Sequence, residues 1–260
     1  AQALDAHRRI PQIEVACGDQ VASLVVRHLD PLGDSDQSRL ATFAQQTGIA
    51  IFLQPGGINS IQALEPDDIT LSYALPMHDV TIRFQPADFV QVNAEINRKM
   101  VDRVLDLMAL TRNDRVLDLF CGLGNFTLPM ARYAGEVVGV EGDAGLVERA
   151  MENAAGNDVE NARYHRADLK QAPGEAAWLA QPYDKVLVDP PRSGAEEMLP
   201  HISATGARRL VYVACNPVSL ARDAAILKND FGFSLEGAGI IDMFPHTDHV
   251  ESVAILERSG

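Results

Sequence analysis

The chain has 260 residues, 47% of them hydrophobic and 22% charged, with a formal net charge of −14. That composition allows one large domain and one small one, and no apolar run approaches the roughly 20 residues that span a bilayer. A chain this negative does not grip nucleic acid by bulk electrostatics, which leaves phosphate contacts to local basic pairs such as Arg98 and Lys99 or to modules outside it.

In chain order, Ile13–Cys17 and Val21–His28 are β-prone runs on either side of Gly18 and Asp19, a turn signal that predicts a hairpin. Asp36–Thr47, stopped by Gly48, reads as a short helix. Ile49–Leu53, Ile69–Tyr73 and Val80–Phe84 read as strands separated by Pro- and Gly-containing turns. From Asn93 to Leu110, apolar Ile96, Met100, Val101, Val104, Leu105 and Met108 keep helical spacing and open a second domain. The expected division is 1–90, part of a small β-rich domain, and 91–260, a catalytic domain.

Beyond Arg115, apolar runs at Val116–Leu119, Val137–Val140, Ala162–His165, Val186–Val188 and Leu210–Val213 alternate with helical patterns. The helices are expected at Phe126–Tyr133, Ala144–Ala155, Glu196–Ala204 and Val218–Leu227. Continuous apolar strands between helices mark a parallel sheet covered on both faces. With Leu235–Ile241 and Val250–Leu256 they predict an α/β fold, a seven-stranded doubly wound sheet.

Ligands of such sheets bind beyond the carboxyl ends of the strands. There the chain reads D-L-F-C-G-L-G-N, Asp118–Asn125, and two glycines let backbone approach a ligand closely. Glu141 ends the next strand, where a carboxylate can accept both ribose hydroxyl protons. A lone G-x-G is also found in ordinary tight turns, and the added acidic residue is what points to a nucleoside cofactor. Thr127 stands where the dinucleotide fingerprint needs a third glycine, which disfavours NAD. S-adenosylmethionine has no pyrophosphate and carries a sulfonium cation that carboxylates such as Asp118 and Glu141 suit. Asp168, after the third strand, is placed either for the adenine amino group or as a helix N-cap.

The next strand ends in D-P-P-R, Asp189–Arg192, which alone would also serve an amino methyltransferase. The following strand end, A-C-N-P, puts a single thiol, Cys215, on the same edge. Uracil carbon 5 is a poor nucleophile until a thiolate adds to carbon 6, whereas an amine needs no such help. A buried structural thiol is the common fate of a free cysteine, but a helix N-terminus can lower a thiol pKa, and this favours Cys215 as nucleophile. Cys121 is expected to pack against the cofactor, and Cys17 to be inert. The three cysteines form no CxxC pair, so no disulfide framework, zinc site or iron–sulfur site is readable in this chain. His246 and His249 read as loop residues.

F-V-Q-V-N (Phe89–Asn93), D-L-F-C-G-L-G-N-F-T-L-P (Asp118–Pro129), V-V-G-V-E (Val137–Glu141), D-P-P-R, V-A-C-N-P-V-S-L-A-R-D (Val213–Asp223) and M-F-P-H-T-D-H-V-E-S (Met243–Ser252) together resemble the bacterial RNA 5-methyluridine methyltransferase family. The first and last stretches look most like its 23S ribosomal RNA members that carry an iron–sulfur cluster. The resemblance implies a class I S-adenosylmethionine-dependent methyltransferase fold, with Gln91, Phe120, Asn125, Glu141, Asp168 and Asp189 lining the cofactor and target-base site. It further implies Cys215 as nucleophile, Glu251 as general base and 23S ribosomal RNA as partner. Those members have an N-terminal barrel and cluster cysteines that this sequence lacks, so the chain is expected to be part of a longer protein that holds the cluster. No metal, membrane or obligate protein partner is expected of the chain itself. The amino-terminal residues lack the order of a signal peptide, so the expected location is the cytoplasm. An amino methyltransferase would leave Cys215 without a role, and a catalytically silent RNA-binding module is the other alternative.

Overall fold

A computed structural model describes residues 3–65, 69–174 and 176–258. The chain divides into two compact units, Ala1–Ala74 with Arg83–Phe89, and Leu75–Ile82 with Val90–Gly260.

In the first unit, strands β1 (Gln12–Cys17) and β2 (Ala22–Arg27) form the expected hairpin, with Cys17 opposite Ala22. Helix α1 (Asp34–Thr47) ends at Gly48, whose φ of 70° is the left-handed value that glycine adopts without strain. It returns the chain to β3 (Ala50–Gln54), parallel to β2, and β4 (Gln62–Glu65) completes the order β1-β2-β3-β4. Leu4, Val26, Leu32, Leu40, Ala44, Ile51 and Leu53 form its core.

Strands β5 (Leu71–Leu75) and β6 (Val80–Phe84) form a two-stranded sheet. The strand expected from Ile69 begins instead at Leu71 and continues to Leu75, and alternate burial of Leu71, Tyr73 and Leu75 shows why: the alternation that defines an inner face starts there.

The second unit opens with α2 (Ala94–Met108), capped by the Asn93 side chain, which accepts from the Ile96 N–H at 3.2 Å. Then come β7 (Arg115–Leu119), α3 (Thr127–Ala131), β8 (Glu136–Glu141), α4 (Ala144–Gly156), β9 (Ala162–Arg166) and β10 (Lys185–Val188). They are followed by α5 (Leu199–Ala204), β11 (Arg209–Ala214), α6 (Pro217–Phe231), β12 (Ser234–Ile241) and β13 (Glu251–Glu257). The seven-stranded sheet has the order β12-β13-β11-β10-β7-β8-β9, and only β13 runs antiparallel to its neighbours. Its switch point lies between β7 and β10, which pair in parallel through Leu119 and Val188. Leu117, Leu119, Val186, Val188, Leu210 and Tyr212 are wholly buried, as strands covered on both faces require.

Two helices are shorter than their apolar patterns suggest. Only Thr127–Ala131 of the run 126–133 is α-helical: Pro129 has no N–H to give at its start, and at its end Arg132 and Tyr133 donate to the Pro129 and Met130 carbonyls at 3.2 and 3.0 Å, a tightened last turn. Glu196–Met198 is a 3-10 turn that leads into α5.

Candidate active site

The glycine loop leaves β7 through Phe120, whose φ of 65° is unusual for a residue with a side chain. Both Phe120 and Cys121 donate their N–H groups to the Val140 carbonyl, at 2.9 and 3.2 Å, so the loop folds over the end of β8. Gly124 has a φ of 91°, and a Cβ there would lie 3.1 Å from Leu128 Cγ and Tyr164 Oη. Gly139 is needed for a different reason: a Cβ in mid-strand would sit 2.9 Å from Cys121 Sγ and from the Tyr164 ring, which support the loop from below.

Glu141 stands at the end of β8. Its Oε2 accepts from the Gly122 N–H at 3.1 Å, and its Oε1 from Gly142 and Asp143 at 2.7 and 3.0 Å. One carboxylate thus fixes the glycine loop and the start of α4. S-adenosylmethionine fits this edge, because open space lies where a Cβ of Gly122 would point and a charged acceptor stands beside it.

Asp118, read from sequence as a carboxylate that suits the sulfonium, is wholly buried. Thr127 donates its hydroxyl to Asp118 Oδ2 at 2.5 Å, and Oδ1 has no hydrogen-bond partner among the described residues. Burial, opposed by the Thr127 bond and reinforced by Glu141, pushes its pKa up to about 7. Thr127, noted only as a missing glycine, therefore ties α3 to β7. Cys121 is buried nearby, its thiol pushed well up by burial and by the Asp118 and Glu141 charges.

Asn125 exchanges two amide hydrogen bonds of 3.0 Å with Asn97 of α2, which is itself buried. Asp168 is exposed and caps a turn rather than a helix, accepting from the Lys170 N–H at 3.0 Å and from Gln171 Nε2 at 2.6 Å. Gln91 is half-buried in the segment before α2.

At the other side of the switch point, Asp189 follows β10 and its N–H reaches the Leu119 carbonyl at 3.3 Å. Cys215 follows β11 directly and is half-buried. Glu251 begins β13 and is only 3% exposed. Because β13 is antiparallel, its first residue lies at the carboxyl edge where β11 ends, and the pairing of Ala214 with Ser252 puts Cys215 and Glu251 side by side there. Burial pushes the Glu251 carboxyl up. Asp189 rises well above the carboxylate range, through burial first and then the charges of Glu251 and Asp118.

The Cys215 thiol is also pushed up, by burial and then by Glu251 and Asp189, with Arg192 pulling the other way. The expectation that the helix end would lower it is therefore corrected. The first N–H groups of α6 are partly spent on a cap, Val218 donating to Asn216 Oδ1 at 3.1 Å, while two acidic neighbours outweigh the remaining dipole. His246 and His249 are exposed loop residues, as expected.

Sequence reasoning assigned no role to Tyr212, Arg222 and Asp223. Asp223 is wholly buried and accepts from Tyr212 Oη at 2.5 Å and from Arg222 Nε at 2.8 Å. A signal was present: Asp223 falls on the apolar stripe of α6, between Leu220 and Leu227, where a charge has to have a partner.

The model of the tRNA (Uracil-5-)-methyltransferase family matches residues 22–259. A 23S rRNA (uracil(1939)-C(5))-methyltransferase RlmD of Xanthomonas axonopodis pv. citri is 54% identical over 257 residues, 99% of this chain. Its counterpart in Stenotrophomonas maltophilia is also 54% identical over 257 residues. The chain spans 58% of the length of each of these relatives. Pyrococcus abyssi tRNA (uracil-54, C5)-methyltransferase, solved with S-adenosyl-L-homocysteine, shares the fold with a TM-score of 0.72 at 23% identity, over 93% of this chain and 58% of that one. Sheet order, glycine loop and acidic strand ends thus define an S-adenosylmethionine-dependent methyltransferase fold. Within that class, the chain belongs to the tRNA (uracil-5-)-methyltransferase family.

Proposed function

We propose that this chain is the catalytic part of an enzyme that methylates carbon 5 of a uridine in 23S ribosomal RNA, at the position that its relatives' names give as 1939. The observation that carries the reading is the Ala214–Ser252 register, which gathers a thiol and a buried carboxyl at one strand edge beside Asp189. Amine methylation has no use for that thiol.

Phe120, Asn125, Glu141 and Asp168 would hold S-adenosylmethionine, with Gln91 and Asp189 toward the target base. When bound, the cofactor supplies an electrophilic methyl group. The Cys215 thiolate adds to carbon 6, and the electrons of the C5–C6 double bond move to carbon 5, which becomes nucleophilic. Once carbon 5 carries a methyl group, the Glu251 carboxylate takes the carbon 5 proton. The C–H electrons restore the double bond, the S–C6 bond breaks and the thiolate leaves. Burial suits Glu251 to this step, since a raised pKa makes it a stronger base.

No described helix is long and apolar enough to cross a membrane, in keeping with a cytoplasmic enzyme of ribosomal RNA. With a net charge of −14, the chain is expected to draw much of its RNA affinity from a further module, and an iron–sulfur cluster would need cysteines beyond Cys17, Cys121 and Cys215. Tritium release from RNA labelled at uridine carbon 5 tests the reading: one tritium is expected per methyl group transferred. Methyl transfer without release would favour an amino methyltransferase, and neither event would favour a silent binding module.

A further inference from the structure

The segment after β10 reads D-P-P-R-S-G-A, and its two prolines fix φ while offering no N–H to hold the backbone. Other groups hold it. The Arg192 carbonyl accepts from Asn216 Nδ2 at 3.0 Å, the Ser193 carbonyl from Arg222 Nη2 at 2.9 Å, and the Ala195 N–H donates to Asp223 Oδ2 at 2.8 Å. The last acceptor is the same oxygen that takes the Tyr212 hydroxyl at 2.5 Å, and Arg222 Nη2 bridges to Asp223 Oδ1 at 2.6 Å. Gly194 lies directly on this pair: its φ is 87°, and a Cβ would fall 2.5 Å from Arg222 Nη2 and 2.6 Å from Asp223 Oδ2.

Tyr212 and Asp223 are wholly buried. A carboxylate taken fully out of water costs several kcal/mol unless donors surround it, so a cheaper apolar contact would serve if the loop needed only to be covered. What the charged network adds is direction. Its members come from β11, two residues before its end, and from α6, which starts two residues after Cys215. Arg192, Ser193 and Ala195 are therefore tied to the elements that carry the thiol, and Asp189 is joined to them through two prolines of fixed φ.

We propose that Tyr212, Asp223 and Arg222 form a positioning network for the reaction, clamping residues 192–195 onto α6 so that Asp189 and Arg192 are held in fixed geometry beside Cys215. The inference rests on Cys215 being the nucleophile. None of the three residues touches the reacting atoms. Their effect is on alignment, where a misplacement of about 1 Å can cost on the order of 100-fold in rate.

The test uses the full protein, S-adenosylmethionine and a 23S RNA fragment with 5-fluorouridine at the target position, which has no carbon 5 proton to lose and so stays attached to the thiol. Tyr212→Phe, Asp223→Asn and Arg222→Gln are each compared with the unsubstituted protein in a single turnover at saturating RNA. The expected result is a rate constant for attachment that falls about tenfold to 100-fold, with full final amplitude and S-adenosylhomocysteine affinity within about twofold of native. A merely structural role would lower the amplitude, as fewer molecules fold, and leave the rate constant of the folded fraction unchanged. That outcome, or native rates throughout, overturns the proposal. If Asp223→Asn does not fold, Tyr212→Phe and the half-exposed Arg222→Gln decide the matter. Absence of any adduct in the unsubstituted protein would instead refute Cys215 as nucleophile, and the network's role would fall with it.

Discussion

Ala214 pairs with Ser252 across the antiparallel β11–β13 ladder, and this single step of register brings a thiol from the end of one strand beside a carboxyl from the start of the other. In an all-parallel sheet, β13 would present its last residue, Glu257, at this edge and bury Glu251 at the far end. Reversal of one strand is thus what brings residues 36 positions apart in sequence to one strand edge.

Glu141 anchors three backbone N–H groups at the carboxyl edge of the sheet, where the proposed function puts the cofactor. Glu141→Ala removes charge-assisted hydrogen bonds worth roughly 1.5–3 kcal/mol each, so S-adenosylhomocysteine affinity should fall about tenfold or more by calorimetry. Unchanged affinity would show that the ribose is held elsewhere.

Asp118 gives the fold a pH dependence. Its pKa is about 7 in the folded chain against 3.8 without burial, so between those values the folded state keeps a proton that the unfolded chain has released. Stability should therefore fall as pH rises from about 4 toward 7, by at most ~4 kcal/mol from this group, and then level off. Asp118→Asn keeps an acceptor for Thr127 and should flatten the slope of Tm against pH in that window. Asp189 and Glu251 are shifted in the same direction and leave some slope behind. An identical Tm profile in the variant would refute the assignment.

The sheet strands were legible because their apolar runs are continuous and bounded by turn residues, and the glycine loop and D-P-P-R stood out as breaks between them. Strand β4, Q-A-L-E, has no such run and is made by pairing with β3, which no local pattern reports. The same holds at the site. Cys215 is visible as a lone thiol at a strand end, but its raised pKa depends on Glu251 and Asp189 arriving from other strands. Asp118 looks like a cofactor carboxylate in sequence because its burial, with the Thr127 hydroxyl on it, depends on packing that no local pattern reports.

The charge next to Cys215 can be removed without touching the thiol. Since Glu251 is the largest electrostatic cause of the raised thiol pKa after burial, Glu251→Gln should lower that pKa. Alkylation of Cys215 by iodoacetamide, followed against pH, should reach half its maximum at lower pH in the variant than in the native chain, with Cys17→Ser in both to remove the exposed competitor. A midpoint that does not move would mean that the two groups are not coupled.

The same substitution separates the two steps of the reaction. Cys215→Ala should still bind RNA and cofactor but form no covalent species, because Cys121, the other thiol near the carboxyl edge, is buried and its pKa is pushed well up. Glu251→Gln keeps size and hydrogen-bonding capacity but cannot accept the carbon 5 proton, so the methylated base should stay attached to Cys215. With methyl-labelled S-adenosylmethionine, denaturing electrophoresis should show a slow, labelled protein–RNA band for Glu251→Gln and none for Cys215→Ala. Turnover should drop at least ~100-fold in both, the lower end of what a positioned acid–base group contributes. Normal turnover by Glu251→Gln would move the base to Asp189, the other carboxyl that faces the thiol with a raised pKa. A band that survived in Cys215→Ala would mean that the attacking group is not the thiol at all, and the case for carbon 5 chemistry at this strand edge would have to be rebuilt from a different nucleophile.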